Sequence, residues 1–529
     1  MNPDRIVPEL QDAVVEADHR AVAAKVERHW GFVLRTDYPL LGRALARLPK
    51  EYVRPTHRLV RGVLQPSTWA GPTHSPDEVI DAALETIPAA EDDPQLQVST
   101  GIAVLHGLRR QGRLGDAGEL ARQLVEPAGA LPGTEANSHV ASLYLHLGSL
   151  ELLSADARGA ERWFEAAYRQ PSAFANHAAD AAGRLALIGA LRGETARAEA
   201  WLGRAAEWDA AAAHWPLRAA ERLPQLCARA LLALDRLDWA AYHRYDDQIE
   251  AERIDLDEHW AFVLHHRALA AVLRGNQRAV LEEIDDHRRH HPQYFREPNL
   301  ATALLETAEI ALLMTIGRYD EALTLLDATD RGRAHQASVA HLLLAGGRVQ
   351  QAADLSDPRL WPPRTTRRQQ LLMLVAHAGA QYRLGRTSAA VAALRQAVNL
   401  TGARSEAHLY AFAVMDRYAL MTLAEQVPEL VPMVTVLQER ARVEPPDAPD
   451  VRLTPRETVV LRYLAGGLDI ARISEALYVS PSTVKNQRKS IYRKLGATNR
   501  KQALERASRL GLLPAGIEIV SPSSPDSGG

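Results

Sequence analysis

A short pattern recurs along much of this chain: Gly-Arg, three variable residues, then Ala. It occupies residues 112–117, 317–322, 347–352 and 385–390, with looser copies starting at 155, 193, 235 and 275 and a degenerate one at 17. Successive starts from residue 112 lie 43, 38, 42, 40, 42, 30 and 38 residues apart. A recurring spacing of this length is typical of proteins built by stacking one structural repeat.

Each copy lies between two apolar stretches with helical periodicity, as in LLMLVAHAGAQYRLGRTSAAVAALRQAV at residues 371–398. The glycine permits a left-handed turn, and the alanine lets the two helices approach each other. Such a hairpin cannot bury its own apolar face, so neighbouring hairpins stack into a superhelix with a concave surface suited to a ligand or a peptide. We therefore predict an all-α chain with a TPR-like α-solenoid over residues 1–440. The alternative is a helical bundle with coincidental Gly-Arg turns.

The composition is compatible with that fold and restricts the cellular location. Apolar residues make up 47% of the chain and charged residues 24%, as expected of a soluble protein with ample core-forming material. The single cysteine, Cys227, excludes an internal disulfide and a cysteine-based zinc site. Because no signal peptide or membrane-length apolar run occurs, we expect a cytoplasmic protein that does not contact a membrane.

The charge is distributed unevenly. Residues 452–512 contain thirteen basic and four acidic residues, a net charge of +9. The remainder holds 49 basic and 61 acidic residues, a net charge of −12. The C-terminal part is therefore suited to a polyanion, and the rest of the chain would be repelled by one.

A domain boundary coincides with this change of charge. The segment RVEPPDAPD at residues 442–450 contains three prolines, which favour an extended connector, so we predict a linker over 441–450. The basic domain then spans 451–513. Residues 514–529 are rich in Pro, Ser and Gly and are predicted to be disordered.

The basic domain has clear signals for short helices. The sequence TPRE at 454–457 supplies a cap hydroxyl, a proline at the first helical position and a glutamate placed to close a capping box. Gly466 and Gly467 end this first helix, and Asp469 caps a second. Ser480 then caps a third helix, which completes a helix-turn-helix, and Asn499 caps a fourth.

The third helix has an inner and an outer face. Val484, Ile491 and Leu495 point together into a core. The outward residues are suited to reading DNA in the major groove, where lysine donates to guanine and asparagine pairs with adenine. This predicted recognition surface comprises Ser482, Thr483, Lys485, Asn486, Lys489 and Arg493.

Three further residues and the fourth helix have predicted roles. Arg472, Arg488 and Lys494 are assigned to phosphate contacts. The fourth helix presents Ala503, Leu504 and Ala507 on one side, and this face is assigned to dimerisation.

The string LTPRETVVLRYLAGGLDIARISEALYVSPSTVKNQRKSIYRKLGATNRKQAL at 453–504 resembles the LuxR-type DNA-binding domain. The resemblance implies four helices, with the third in the major groove, the fourth pairing with a second subunit, and Lys485, Asn486 and Lys489 facing the bases. Two departures stand out: Ile470-Ala471-Arg472 replaces the usual Asn-Lys-Glu, and Gln487 replaces a usual histidine. We expect backbone binding to be weakened or redirected, with Arg472 as the substitute contact.

A weaker resemblance covers roughly 430 residues of the solenoid and includes ADHRAVAAKVERHW at 17–30 and LPKE at 48–51. These segments are similar to the effector-sensing region of large MalT-like LuxR regulators, in which an ATPase module comes first. Here no Gly-x4-Gly-Lys-Ser/Thr phosphate loop occurs, so we expect no ATP switch in this chain. Control by an effector or partner on the solenoid, by a separate ATPase subunit, or by expression level alone all remain open.

Other chemistry has little support. His287, His290 and His291 beside Asp285 fit a solvated helix end better than a metal site. No motif of a hydrolase, redox enzyme or nucleotide-binding enzyme occurs, so we expect no catalytic residue, metal or cofactor. The tryptophans concentrated in the middle repeats either line an effector pocket or pack between repeats; the pocket hypothesis rests on Trp201, Trp215, Trp239 and Trp260.

The sequence therefore predicts a DNA-binding transcription regulator, an activator by family resemblance, whose dimers bind an inverted repeat of double-stranded DNA and recruit RNA polymerase. The alternative is a helical-repeat scaffold whose C-terminal domain is a second protein-docking module. The outward face of the third helix argues against the scaffold, because it lacks an apolar stripe. A third hypothesis is a DNA binder that responds to no effector.

Overall fold

The structure is a computed structural model that separates into two compact units, residues 1–444 and 445–529. It describes residues 3–64, 75–87, 93–131, 133–170, 175–211, 219–251, 259–328, 336–363, 365–401, 408–415, 417–440, 455–477, 479–495, 497, 499–500, 503–504 and 507. The predicted linker at 441–450 and tail at 514–529 lie outside these residues.

The described part of the first unit is all helical, without strands, as predicted. Its α-helices are α1 (Pro3–Val15), α2 (His19–Thr36), α3 (Tyr38–Arg47), α4 (Pro55–Leu64), α5 (Pro76–Leu84), α6 (Pro94–Arg110), α7 (Leu114–Gly129), α8 (Gly133–Leu153), α9 (Ala157–Arg169), α10 (Ala175–Arg192), α11 (Thr195–Ala211), α12 (Ala219–Asp235), α13 (Trp239–Ala251), α14 (Trp260–Arg274), α15 (Gln277–His290), α16 (Leu300–Thr315), α17 (Tyr319–Ala328), α18 (Gln336–Ala345), α19 (Val349–Leu355), α20 (Arg367–Arg383), α21 (Thr387–Thr401), α22 (Leu409–Ala413), α23 (Arg417–Ala424) and α24 (Val431–Arg440). Short 3-10 helices occupy Lys50–Tyr52, Pro292–Phe295, Pro358–Leu360 and Pro428–Leu430. None of the described helices combines the length and the apolarity needed to span a bilayer.

The recurring pattern marks the turns between paired helices. The glycines that begin the copies at 112, 193, 275, 317, 347 and 385 all have φ between +68° and +92°, in the left-handed region. In most of these turns the residue after the glycine donates its backbone N–H to the carbonyl oxygen of the residue five positions before it. This hydrogen bond closes the end of the first helix. The residue five positions after each glycine is buried against the partner helix. The predicted helical hairpins are confirmed.

One copy is shifted from its predicted position. The sequence pattern begins at Asp235, but the left-handed residue is Leu237, with φ +53°. The buried position after the turn is therefore taken by Tyr242, which is 4% exposed, and not by Ala240. The prediction was wrong by two residues because neither glycine nor arginine marks this turn at its true position.

The turns without glycine share a compensating feature. Ala17, Ala155 and Leu237 are the non-glycine residues with positive φ among the described residues, and each is followed by an aspartate. Asp18, Asp156 and Asp238 each accept a hydrogen bond from the backbone N–H three residues later, at 3.0–3.1 Å. The cap at the start of the second helix offsets part of the strain of the left-handed residue.

The first helices of successive hairpins pack against one another from α10 through α12, α14, α16 and α18 to α20. Helix α20 also contacts α10, so this part of the stack closes on itself. Arg368, at the start of α20, makes two 2.7 Å hydrogen bonds to the carboxylate of Asp235 and donates to the carbonyl oxygen of Ala190 at 3.0 Å. We call α10, α12, α14, α16, α18 and α20 the closed stack; it borders a cavity of about 720 Å³.

Replacing Gly112 by alanine is expected to destabilise the first unit more than replacing Gly347. Both glycines are left-handed, with φ of +68° and +78°, so each alanine carries a backbone cost of about 1 kcal/mol. A Cβ at residue 112 would also collide with the carbonyl oxygen of Gln293, whereas one at residue 347 would meet open space. Urea unfolding should give a loss of about 2–3 kcal/mol for Gly112→Ala, against about 1 kcal/mol for Gly347→Ala. Equal losses would contradict the close approach.

Candidate nucleic-acid interface

The second unit contains α25 (Pro455–Ala465), α26 (Ile470–Ala476) and α27 (Pro481–Lys494). Gly467, with φ +86°, turns the chain after α25. The side chain of Asp469 accepts from the N–H of Arg472 at 2.9 Å, and Ser480 Oγ accepts from the N–H of Thr483 at 3.2 Å. The predicted caps of the second and third helices are confirmed. Thr454, the predicted first cap, lies outside the described residues.

A small core fixes the orientation of these helices. Val484 and Ile491 are fully buried and Leu495 is nearly so, as the periodicity predicted. They form one cluster with residues of α25 and α26, namely Val460, Leu461, Leu464, Ala465 and Ile473. The opposite face of α27 is therefore held outward.

That outward face carries unpaired hydrogen-bonding groups. Lys485, Asn486 and Lys489 are exposed, and none has a hydrogen bond or ion pair with any described residue. Ser482 is also exposed, but its hydroxyl bonds to Ser480 Oγ at 2.7 Å, and that of half-buried Thr483 does so at 2.8 Å. The two hydroxyls thus support the start of α27. The side chain of Arg493 lies outside the description.

The residues assigned to phosphate contacts occupy different settings. Arg472 is exposed, whereas Arg488 is half-buried with its guanidinium 5.8 Å from the ring centre of Tyr492. Burial raises the pKa of Tyr492, which therefore stays a neutral phenol. The ammonium of Lys494 donates to the carboxylate of buried Glu457 at 2.6 Å. Lys494 thus ties α27 to α25, and its phosphate contact stays a prediction.

Two features of the unit were not expected from sequence. Ala503, Leu504 and Ala507 are at most 3% exposed and belong to the same core as α25 and α27. These side chains, assigned to dimerisation, are packed inside the domain and offer no surface to a second subunit. The guanidinium of Arg500 donates to the carbonyl oxygen of Leu464, a link that no helical pattern indicates.

Three of the tryptophans proposed for an effector pocket, Trp201, Trp239 and Trp260, pack against neighbouring side chains. Trp201 packs edge-on against Tyr168 at 5.2 Å, and the guanidinium of Arg274 lies over half-buried Trp239 at 4.8 Å. Trp260 stacks on His287 at 4.0 Å in a different hydrophobic core from Trp201. None of these three lines the 720 Å³ cavity, and Trp215 lies outside the described residues.

Of the histidines considered for a metal site, His287 is part of this packing. Burial against Trp260 lowers the pKa of His287 to about 3. His290 lies exposed on the helix surface, and its Nδ1 approaches the carbonyl oxygen of Asp286 at 2.8 Å. Within the part of the chain that the structure describes, no three His, Cys, Asp or Glu side chains are grouped as a metal would require.

Comparison with known proteins places the second unit among regulators. Residues 451–507 match the family model described as "Bacterial regulatory proteins, luxR family". The transcriptional regulatory protein YdfI of Bacillus subtilis is 42% identical over 64 residues, 12% of this chain and 30% of that protein. The probable transcriptional regulatory protein NarL of Mycobacterium tuberculosis is 44% identical over 61 residues, 12% of this chain and 28% of that protein. The chain thus spans less than a third of the length of these curated relatives.

A solved structure was also found to be similar to this chain. The crystal structure of the APC/C hetero-tetramer Cut9-Hcn1 aligns with 83% of this chain and 96% of that chain, at 12% identity and a TM-score of 0.36.

Proposed function

We propose that this chain, whose residues 451–507 form a luxR-family domain, is a sequence-specific DNA-binding transcription regulator. The observation that carries the proposal is the outer face of α27. Lys485, Asn486 and Lys489 are held outward by a fixed core and have no partner among the described residues. Such donors suit base edges in the major groove.

Charge supports a polyanionic partner over a protein partner. Residues 452–512 carry a net charge of +9, while the remainder carries −12. A groove-docking helix would offer an apolar stripe, but the large apolar side chains of α27 point into the core. The scaffold hypothesis therefore has no docking surface on this helix.

The finer parts of the proposal concern assembly and control. A homodimer places two copies of α27 about one helical turn apart on an inverted repeat of DNA. The resemblance to LuxR-type regulators favours an activator that contacts RNA polymerase in the cytoplasm. The helical unit supplies the sensing surface for an effector or a protein partner.

Alanine substitutions on α27 should separate base reading from phosphate binding. Lys485→Ala and Asn486→Ala should each cost about 1–3 kcal/mol on specific DNA and less on random DNA. Arg488→Ala should weaken binding to both specific and random DNA. It should also reduce the slope of log affinity against log salt concentration by about one. The measurement is fluorescence anisotropy of the intact protein with DNA from upstream of its own gene, at several salt concentrations.

The matched control is Arg289→Ala, which removes an exposed positive charge from the helical unit and should leave DNA affinity unchanged. Equal losses for Lys485→Ala, Asn486→Ala and Arg488→Ala on both DNAs would contradict the assigned roles. If neither the intact protein nor the second unit alone binds DNA at low salt, the scaffold hypothesis replaces the regulator.

A further inference from the structure

The closed stack borders a cavity that is partly open to solvent. Its volume is about 720 Å³, within the range of pockets that hold small organic molecules. Half of the lining residues are aliphatic, including Ile188 of α10, Leu269 of α14, and Ala303 and Leu304 of α16. A cavity of this size and character is suited to a largely apolar guest.

Two imidazoles are among the polar groups of the wall. Nδ1 of His265 lies 3.3 Å from the carbonyl oxygen of Leu304, and Nε2 of His341 lies 3.0 Å from that of Leu372. Because a carbonyl oxygen only accepts, each of these nitrogens carries the hydrogen. Burial lowers the pKa of both rings, that of His265 to about 4, so both are neutral at pH 7. The second nitrogen of each ring is then a hydrogen-bond acceptor with no partner among the described residues.

The charged side chains of the wall are neutralised or lie at its edge. Arg368 is held by Asp235 in a pair whose side chains are 13% and 5% exposed. Arg192 pairs with Glu161 at 3.3 Å and with Glu194 at 3.0 Å. Arg158 and Asp156, which also line the cavity, are exposed to solvent. An ionised group inside the cavity would lose its hydration without gaining a counter-ion, which is strongly unfavourable.

The wall also joins parts of the chain that are distant in sequence. Leu152 and Ile188 contribute from one side, and Ser338, Leu372 and Tyr410 from the other. Arg368 links the two sides through Asp235 and Ala190. A guest in the cavity therefore contacts both ends of the closed stack, and it stabilises the closed arrangement by its contacts in that state alone.

We propose that this cavity is the binding site of an uncharged, mainly apolar small molecule that carries at least one hydroxyl or N–H donor. The donor bonds to the free nitrogen of His265 or His341, and the apolar body fills the space along α16. The inference deepens the proposed function and rests on it in one respect: a bound molecule regulates DNA binding only if the chain is a DNA-binding regulator. Binding of the molecule to the cavity does not depend on the proposed function.

Two fluorescent probes that differ by one charged group test the ligand class. N-phenyl-1-naphthylamine is neutral, apolar and carries one N–H, whereas 8-anilinonaphthalene-1-sulfonate adds a sulfonate to a similar frame. We expect the neutral probe to bind the full-length protein saturably, with one site per chain, and to raise its melting temperature. The sulfonated probe should bind at least about tenfold more weakly.

Variants of the wall locate the site. Ala303→Phe fills part of the cavity and should reduce the affinity for the neutral probe at least about tenfold. Ser338→Leu on α18 also fills part of the cavity and serves as the second variant if Ala303→Phe does not fold. His341→Leu should have a lower affinity for the neutral probe, which carries the N–H group, and an unchanged helical circular dichroism spectrum. The matched control is Ala389→Phe, an exposed alanine of α21 outside the cavity, which should bind the probe as wild type does.

The outcomes separate this inference from the proposed function. Lys485 does not line the cavity and is proposed to contact DNA. Lys485→Ala should therefore bind the neutral probe with the same affinity as the wild type. Absence of saturable binding of the neutral probe, equal binding of the sulfonated probe, or undiminished binding by both filling variants would overturn the cavity assignment. None of these results alters the outcome of the DNA titrations.

Discussion

Lowering the pH from neutrality to about 4 is expected to unfold the helical unit, because the folded chain buries many histidines in their neutral form. Burial lowers the pKa of nine described histidines below the value of 6.5 that an unfolded chain would show. They are His57, His146, His177, His265, His266, His287, His341, His377 and His408.

The sign of the effect follows from proton uptake. Between the lowered pKa of the folded state and 6.5, the unfolded chain binds more protons, so the free energy of unfolding falls as the pH falls. For His265, with a folded pKa of about 4, protonation removes about 3 kcal/mol of stability. Burial raises the pKa of Asp180 and Asp235, which acts in the opposite direction, but these carboxyls are outnumbered. Because nine histidines act in the same direction, their losses add, and we expect the sum to be large relative to a typical stability of about 5–15 kcal/mol.

Urea unfolding followed by circular dichroism between pH 7.5 and about 4 measures this dependence. His177→Gln keeps a hydrogen-bonding group near Ser142 Oγ, 2.9 Å away in the wild type, but cannot titrate. This variant should reduce the slope of the free energy of unfolding against pH by up to about 1.4 kcal/mol per pH unit. The control is His243→Gln on the exposed face of α13. Stability that stays constant or rises as the pH falls from 6.5 would contradict the prediction.

Asp235→Ala is expected to destabilise the helical unit by about 3–5 kcal/mol. The substitution leaves the guanidinium of Arg368 buried without its counter-ion and loosens the contact that closes the stack. The measurement is urea unfolding at pH 7, combined with titration of the neutral naphthylamine probe. Because α20 borders the cavity, probe affinity should fall together with stability.

A double variant separates the unpaired charge from the loss of packing. Asp235→Leu combined with Arg368→Met removes both charges and should recover a large part of the stability lost in Asp235→Ala. Arg289→Ala, which breaks an exposed pair with Asp286, should change stability by about 0.5 kcal/mol or less. A loss of similar size for Asp235→Ala and Arg289→Ala would show that the contact between Asp235 and Arg368 stabilises the unit no more than an exposed ion pair does.

The hairpins were predictable because their signal is local. A glycine such as Gly317 or Gly385 adopts a backbone conformation that few other residues tolerate, so the sequence itself marks the turn. Leu237 has no such signal, and its turn was assigned two residues too early. The aspartate that follows each left-handed non-glycine residue, as Asp238 does here, is the pattern that would have located it.

The second unit was predictable in its core and less so in its surface. The spacing of Val484, Ile491 and Leu495 fixes which side of α27 faces inward, and the structure agrees. The same reasoning does not reveal that Lys494 is held by Glu457, since that pair joins residues 37 positions apart. Dimer contacts were assigned to apolar residues of the last helix, but in so small a domain the core itself uses them.

The cavity was beyond sequence reasoning for a related physical cause. Tryptophan is the usual indicator of a binding pocket, but the wall of this cavity contains no tryptophan. The closing contact joins Arg368 to a residue 133 positions earlier, and no periodicity encodes such a pairing. Much of the wall is made of ordinary alanine and leucine residues, whose role depends on which helices meet across the stack.

The closing contact between α10 and α20 also limits how the repeats can change in number. In an open array each repeat touches only its neighbours, so whole units can be added or removed and the ends can unravel independently. Here a repeat inserted or deleted between α12 and α20 would carry Arg368 away from Asp235 and break the closure. The middle of the array therefore behaves as a unit of fixed length.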